Sequence, residues 1–360
     1  MRRLGLANVR GLETCSFEPS PHVTVLSGAN GQGKTSVLEA VYVACRGQSF
    51  RTSAFAEVVR HQERHAELRA EIEEAGLTRQ QRVVIEPGKR RLEHDGKRAR
   101  SMADYAVATP VVVFHPGELA LTTAGATLRR ALLDRVAFFR RPAHLAKLAE
   151  YTKAQRERQR ALQERGVRAP ELQVFEELIA AAGATVMQAR REVAEVLAEE
   201  TQRAFAALAA PDLQLSTRYV QTAPSTLEEY RDALDKSRAR DAHRGSASLG
   251  PHRDDWELCI DGVAARSFAS QGQHRALVLA IKSAEIEVVA KARGVQPIVL
   301  LDDVSSELDR ERTRALFAFL RAQRGQVLLT TTRPELVDLG AEGAAESAHF
   351  ELDAGRLRAR

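Results

Sequence analysis

Gly28-Ala29-Asn30-Gly31-Gln32-Gly33-Lys34-Thr35 decides how this chain is read. It follows an apolar run, His22–Ser27, that predicts a strand, and it opens Lys34–Cys45, which predicts a helix. Glycines at this spacing let backbone N–H groups turn inward and cradle phosphate oxygens. The cradle comprises Gly28, Ala29, Asn30, Gly31, Gln32, Gly33, Lys34, Thr35 and Ser36. Lys34 is placed to reach the β- and γ-phosphates, and Thr35 to offer a hydroxyl to Mg²⁺. The helix N-terminus points its partial positive charge at the same anion. The expected cofactors are ATP and Mg²⁺.

Ile298-Val299-Leu300-Leu301-Asp302-Asp303 is an apolar strand ending in two acids. Carboxylates at that edge of a parallel sheet sit where α/β proteins bind ligands. Asp302 is expected to hold Mg²⁺ through water and Asp303 to polarise the attacking water, so Lys34, Asp302 and Asp303 form the expected catalytic set. Ala269-Ser270-Gln271-Gly272-Gln273 precedes a predicted helix, Ser305-Ser306-Glu307-Leu308-Asp309 follows the acids, and a further strand ends in Thr330-Thr331-Thr332. This order resembles the signature motif, Walker B, D-loop and switch segment of an ABC-type ATPase. The resemblance implies that Ser270, Gln271, Gly272 and Gln273 meet the γ-phosphate held by a second copy. It also implies that Ser306 and Asp309 form the D-loop and that Thr331 or Thr332 takes the switch position. The pentapeptide alone reads equally as an N-capping Ser with a flexible Gly.

The chain has 360 residues, 44% apolar and 28% charged, the balance of a folded globular protein. At ~150 residues per domain that length suggests about two domains. No apolar run approaches the ~18 residues of a membrane span; the strongest are Val111–Phe114 and Ile298–Leu301. Two arginines open the chain, but no apolar stretch follows them, so no secretion signal is expected. Cys15, Cys45 and Cys259 form no CxxC pair, which excludes a disulfide framework or zinc site as organising principle and fits a reducing cytoplasm. Net charge is +5, and 45 of the 53 basic residues are arginine, which suits phosphate contact better than lysine.

Texture divides the chain in three. Residues 1–117 predict strands around one helix, including Gln80–Glu86 and Arg90–Lys97 with Asp95-Gly96 as a hairpin turn. Residues 118–245 read as helical. Glu171–Ala210 carries an apolar face at helical period, as does Ala143–Arg165; Gly166 and Pro170 punctuate their junction, which predicts an antiparallel hairpin. If unbroken, the longer helix would span about 60 Å. Residues 246–360 return to mixed structure, with strands at Trp256–Ile260 and Gln326–Thr331 and helices at Gly272–Arg293 and Arg310–Arg324. The expected fold is an α/β ATPase head built from 1–117 and 246–360, with an antiparallel β subdomain and an inserted α-helical lobe.

Further segments narrow the class. Asn8-Val9-Arg10 and the phosphate loop are similar to the Rad50/SMC group. The segments GQSFRTS (47–53), FHPGE (114–118), RRALLD (129–134), SLGPHRDD (248–255), ASQGQHR (269–275) and LLDDVSSELD (300–309) most closely resemble the bacterial RecF family, over essentially the whole chain. That resemblance implies ATP-dependent homodimerisation on double-stranded and gapped DNA, and slow hydrolysis that resets the dimer. It also implies assistance to RecO and RecR in loading RecA. There are departures. Ala269 and Gln271 stand where transporters have Leu and Gly, Asp303 stands where most ABC ATPases have Glu, and a Thr replaces the switch His. The Q-loop glutamine is not identifiable; His115 or a neighbour stands near its place. A shorter carboxylate and a hydroxyl switch predict slow turnover.

Arg79–Arg100 holds eight basic residues against three acids, which makes Lys89, Arg90, Arg91, Lys97, Arg98 and Arg100 DNA candidates, together with Arg51. A second stripe, Lys153, Arg156, Arg158, Arg160 and Arg165, lines the first lobe helix. Each cluster reads equally as a solvated face. Aromatics total 5%, too few for a single-strand stacking platform, so duplex backbone recognition is expected. Gly250-Pro251-His252-Arg253-Asp254-Asp255 reads either as catalytic or as a structural turn into a strand. Rival functions are the nucleotide-binding subunit of a membrane transporter, another Rad50/SMC-like chromosomal ATPase, a scaffold with a structural nucleotide, and a P-loop kinase. The kinase leaves ASQGQ unexplained, and the transporter has no use for the basic 79–100 stretch.

Overall fold

The computed structural model describes residues 1–208, 213–303 and 325–360. The chain forms two compact units, Met1–Glu118 with Glu285–Arg360, and Leu119–Ala284. In chain order the first unit begins with β1 (Arg3–Val9), β2 (Leu12–Phe17), β3 (Val23–Ser27), α1 (Lys34–Arg46), β4 (Ala66–Glu74), β5 (Leu77–Glu86), β6 (Lys89–His94), β7 (Lys97–Arg98), α2 (Met102–Val107) and β8 (Val111–Phe114). The second unit contains α3 (Ala120–Thr123), α4 (Thr127–Arg140), α5 (His144–Arg165), α6 (Leu172–Leu208), β9 (Leu215–Val220), α7 (Leu227–Arg244), β10 (Asp255–Ile260), β11 (Val263–Ala264) and α8 (Ala265–Phe268). The division falls within α9 (Gln271–Arg293). The chain then gives β12 (Ile298–Leu301), β13 (Val327–Thr331), α10 (Gly340–Ala345), β14 (Ser347–Asp353) and β15 (Arg356–Ala359).

The first unit holds two sheets. One has the order β15-β14-β3-β13-β12-β8, with every pair parallel except β14–β15. Its strands β3, β13, β12 and the edge strand β8 are buried at every position, which is why they read as largely apolar runs. The other is antiparallel, β2-β1-β4-β5-β6-β7. There β4 alternates: Ala66, Leu68, Ala70 and Ile72 face the core, while Glu67, Arg69 and Glu71 face outward. One apolar core joins both sheets to α1, with Leu6 and Leu68 from one sheet, Val37 and Val41 from the helix, and Leu300 and Leu328 from the other.

The second unit corrects the expected boundary at residue 246. The chain stays with the lobe to Ala284, because β10 pairs with β9 from Asp255↔Val220 to Ile260↔Leu215. Arg129 also grips Asp255 through both oxygens, at 2.7 and 2.8 Å. The lobe is therefore more than a helical hairpin: it adds α7 and the sheet β11-β10-β9. The hairpin itself is antiparallel. Arg165 pairs with Glu171, Arg158 with Glu176, and Tyr151 packs at Gly183, a register that runs in opposite directions. The expected helix Arg310–Arg324 and the last residues of Glu171–Ala210 lie outside the described residues.

The 250–255 segment fits the structural-turn reading. Asp254 is fully buried and accepts from the Thr222 N–H at 2.8 Å, the Thr222 hydroxyl at 3.0 Å and the Tyr219 hydroxyl at 2.5 Å. The Pro251 carbonyl accepts from Arg190, and the His252 ring meets the Tyr151 hydroxyl. Burial disfavours the charged ring and lowers the His252 pKa.

Arg158 also departs from expectation. Its side chain is 1% exposed, bonded to Glu176 and Asp241 at 2.9 Å each and to the Leu234 carbonyl at 2.7 Å. It cannot track phosphates. Removing one partner of a buried pair typically costs about 3–5 kcal/mol. Arg158→Met should lose about that much in guanidinium unfolding, whereas exposed Arg160→Met should stay within about 0.5 kcal/mol of wild type. Equal midpoints for the two variants would refute the structural role of Arg158.

Candidate functional site

The phosphate loop runs from the end of β3 into α1. Gly28 has φ 148°, and a Cβ there would lie 2.4 Å from the Leu352 carbonyl oxygen of β14, so no larger residue fits. Gly31 and Gly33 also take positive φ, 81° and 102°. The Ala354 N–H donates to Gln32 Oε1 at 2.6 Å, so the β14–β15 hairpin braces the loop from behind. Gly33 offers no side chain to cap α1, and the first helical turn holds no acid. Its N–H groups are left for an anion. Lys34 Nζ donates to the Gly28 and Ala29 carbonyls at 2.7 and 2.9 Å, which holds the ammonium over the loop. Burial lowers the Lys34 pKa, and the charges of Asp303 and Asp302 pull the other way.

The two acids end β12 beside this loop. Asp302 is buried and accepts from the Thr35 hydroxyl at 2.8 Å and the Thr330 hydroxyl at 2.9 Å, while its own N–H donates to the Phe114 carbonyl at 2.8 Å. Asp303 has φ 47°, and its N–H donates to Thr330 Oγ1 at 2.9 Å. A non-glycine residue in that region persists only where its surroundings hold it. Thr330 thus links both acids, a role the sequence reading did not assign. Thr331 is buried in β13 opposite Ser27, and its hydroxyl accepts from the Arg333 N–H at 2.9 Å; Thr332 follows, half-buried. The Thr35 hydroxyl and Asp302 carboxylate are hard oxygen donors facing each other. They suit Mg²⁺, which takes one or two protein oxygens and completes its octahedron with phosphate and water. Among the described residues, no group of three or more His, Cys, Asp or Glu could hold a metal alone.

The signature residues belong to the second unit. Ser270 and Gln271 are exposed, and Gly272 and Gln273 half-buried, at the start of the 23-residue helix α9. The Ser270 hydroxyl accepts from the Gln273 N–H at 3.2 Å, and Gln273 Oε1 accepts from the Ser270 N–H at 2.7 Å. This is a reciprocal capping box. The D-loop residues Ser306 and Asp309 lie outside the described residues.

The basic candidates separate. Arg51 pairs with Glu39 at 3.1 Å, alongside Arg10, which binds the same carboxylate at 2.8 and 2.9 Å. Burial works to raise the Glu39 pKa, but bonds from Arg10 and Ser49 outweigh it and hold the pKa below the ordinary range. Arg90 donates to the Gly47 carbonyl and lies 4.2 Å over the Phe55 ring. Lys89 pairs with Glu86 at 3.0 Å. Arg91, Lys97, Arg98 and Arg100 are exposed and make no salt bridge among the described residues; Arg98 stands opposite Glu93, on the sheet face that Arg91 shares. In the lobe, Arg160 pairs with Glu164 and Arg165 with Glu171. His115 stacks on Phe50, with centroids 5.6 Å apart, and pairs with Glu118 at 3.6 Å. No helix among the described residues is long and apolar enough to cross a membrane.

The family described as RecF/RecN/SMC N terminal domain matches residues 1–345. The DNA replication and repair protein RecF of Anaeromyxobacter sp. (strain Fw109-5) is 39% identical over 99% of both chains. That of Myxococcus xanthus is 38% identical, covering 98% of this chain and 95% of its own. The solved recombination mediator protein RecF-ATPrS of the RecFOR pathway superposes with TM-score 0.90 at 25% identity, covering 99% of this chain and 97% of that one. The Smc head domain of Pyrococcus furiosus, at TM-score 0.55 and 15% identity over 100% of this chain and 95% of its own, shares the fold. A phosphate loop braced by a C-terminal hairpin, two acids tied through one threonine, and relatives matched from end to end lead to one conclusion: the chain belongs to the RecF family of DNA replication and repair proteins.

Proposed function

We propose that this protein is an ATP-driven switch on DNA, a slow ATPase whose homodimer forms with nucleotide and is reset by hydrolysis. The observation that carries the reading is the Thr35–Asp302–Thr330 arrangement beside Lys34 and the uncapped N-terminus of α1. Lys34 neutralises the β- and γ-phosphates, and the loop N–H groups orient them. Thr35 and Asp302 would hold Mg²⁺, which would supply charge neutralisation at the phosphate oxygens. Asp303 receives the proton of the attacking water, its backbone held in place by Thr330. An aspartate reaches less far than a glutamate, which supports slow turnover. Ser270, Gln271, Gly272 and Gln273 offer a second anion site at an exposed helix N-terminus, for the γ-phosphate of the other copy.

Duplex and gapped DNA are the proposed substrates of the dimer, with Arg91, Lys97, Arg98 and Arg100 the strongest of the basic candidates by exposure. Stimulation of the ATPase by DNA, assistance to RecO and RecR in loading RecA, and residence in the cytoplasm complete the reading. The relatives' names, DNA replication and repair protein RecF and a recombination mediator of the RecFOR pathway, support the repair setting of this reading.

Two experiments test it. Lys34→Ala should abolish tight ATP binding, whereas Asp303→Asn should still bind ATP and dimerise but hydrolyse 10²–10⁴-fold more slowly, the usual cost of losing a general base. Unchanged phosphate release in Asp303→Asn would remove Asp303 from that role. For the dimer, ATP should steepen the salt dependence of duplex binding. The slope of log K on log salt is about −0.9 per phosphate contact, so six contacts cost roughly a thousandfold between 50 and 200 mM salt. Ser270→Arg should bind ATP, stay monomeric in sedimentation, and keep the shallow slope. Normal ATP-driven dimerisation of that variant would defeat the trans-signature reading.

A further inference from the structure

One stripe on the solvent side of α6 carries exposed apolar side chains beside the polar Gln173 and Glu177, where a surface helix is ordinarily polar throughout. Val174 is 56% and Leu178 42% exposed, and Ala181 and Thr185 continue the same stripe. Positions 174, 178, 181 and 185 follow the four-, three-, four-residue steps of one helical face, over about 16 Å. The stripe runs into a groove of about 580 Å³ within the lobe. Its small and apolar lining comes from Ala143, Ala181, Ala184 and Leu227, the last 56% exposed at the start of α7.

The charged side chains that line this groove are basic. Arg141, Lys147 and Arg191 line it, together with His144, which is buried against Asp134; among the described residues no carboxylate lines it. Arg141 pairs with Glu192 at 3.1 Å and Lys147 with Glu150 at 2.8 Å. Both carboxylates stand outside the lining. Exposed pairs of this kind contribute little and exchange partners readily. Among the described residues, Arg191 is held by the neutral partners Gln188, Gln221 and Ser225.

We infer that this groove docks an acidic amphipathic helix of a partner protein, with one or two large apolar side chains seated against Ala184 and Leu227 and carboxylates facing Lys147, Arg141 and Arg191. A helix laid in a groove presents anchors at the three- and four-residue spacing that the α6 stripe matches. A nucleic acid backbone would meet the basic side chains but gains nothing from the exposed apolar Leu227 in the groove or from Val174 and Leu178 on the stripe that leads to it. This inference is independent of the nucleotide site.

The test is selection from a displayed short-peptide library on the full-length protein, with Ala184→Trp protein as counter-selection. Enriched sequences should place Asp or Glu around Leu, Phe or Met at helical spacing. The best peptide, synthesised with a fluorescein label, should lose roughly tenfold or more in affinity for Lys147→Glu and for Leu227→Asp, with thermal melts of both variants expected to match wild type. Absence of enrichment, a neutral or basic consensus, enrichment that survives Ala184→Trp, or displacement of the peptide by duplex DNA would each overturn the proposal. Dimerisation altered by Leu227→Asp with no effect on the peptide would assign the groove to a second copy instead, and overturn it equally.

Discussion

Asp302 is a buried carboxylate that ties together three elements distant in sequence. Thr35 reaches it from the first turn of α1, Thr330 from the end of β13, and its own backbone is bonded to Phe114 at the end of β8. A buried charge is tolerated only where such bonds replace water. Hydrogen bonds to charged groups are worth about 1.5–3 kcal/mol each, so two hydroxyls go far toward that replacement. The strand order makes the meeting possible: β3, β13, β12 and β8 are neighbours, all parallel, and their C-terminal ends fall on one edge. The same hydroxyls that satisfy Asp302 hold Thr35 and Asp303 in place, so site geometry and core stability share these bonds.

The sheet also explains the glycine requirement. β3 lies between β13 and β14, both from the far end of the chain. The approach of β14 puts the Leu352 carbonyl where a Cβ at residue 28 would be. The phosphate loop is therefore moulded against a hairpin more than three hundred residues away in sequence. Pairings of that separation carry a loop-closure cost and form late or slowly. The cradle cannot be completed by the N-terminal segment alone.

What was legible followed from locality. The phosphate loop is contiguous, and buried parallel strands announce themselves as apolar runs such as Ile298–Leu301. The lobe hairpin showed in its period. Arg158 was legible in principle: Tyr151, Ala154, Arg158 and Leu162 are one helical series, so its own spacing put it on the buried face, and reading the basic residues as a stripe set that period aside. The alternation Ala66–Ile72 likewise marked β4, although motif spacing gave no reason to look there. Other features were not legible. The lobe boundary depends on β9 pairing with β10 across α7, a nonlocal choice. Which of three consecutive threonines meets the acids depends on where β13 ends, and helix and strand ends are the least determined part of any pattern.

The capping box at Ser270 shows how a structural and a ligand-binding reading of one residue can coexist. A helix N-terminus carries partial positive charge and unpaired N–H groups, and both are useful to an anion and costly when left alone. The Ser270–Gln273 exchange satisfies one N–H at each position without a ligand. Capping boxes commonly use Glu at the third position. A glutamate there would place a full negative charge at the mouth of the helix, where on the proposed reading a γ-phosphate must come. Glutamine makes the same bonds and leaves the terminus positive. The neutral amide at residue 273 thus keeps α9 capped in the free protein while preserving the electrostatics that an incoming phosphate requires.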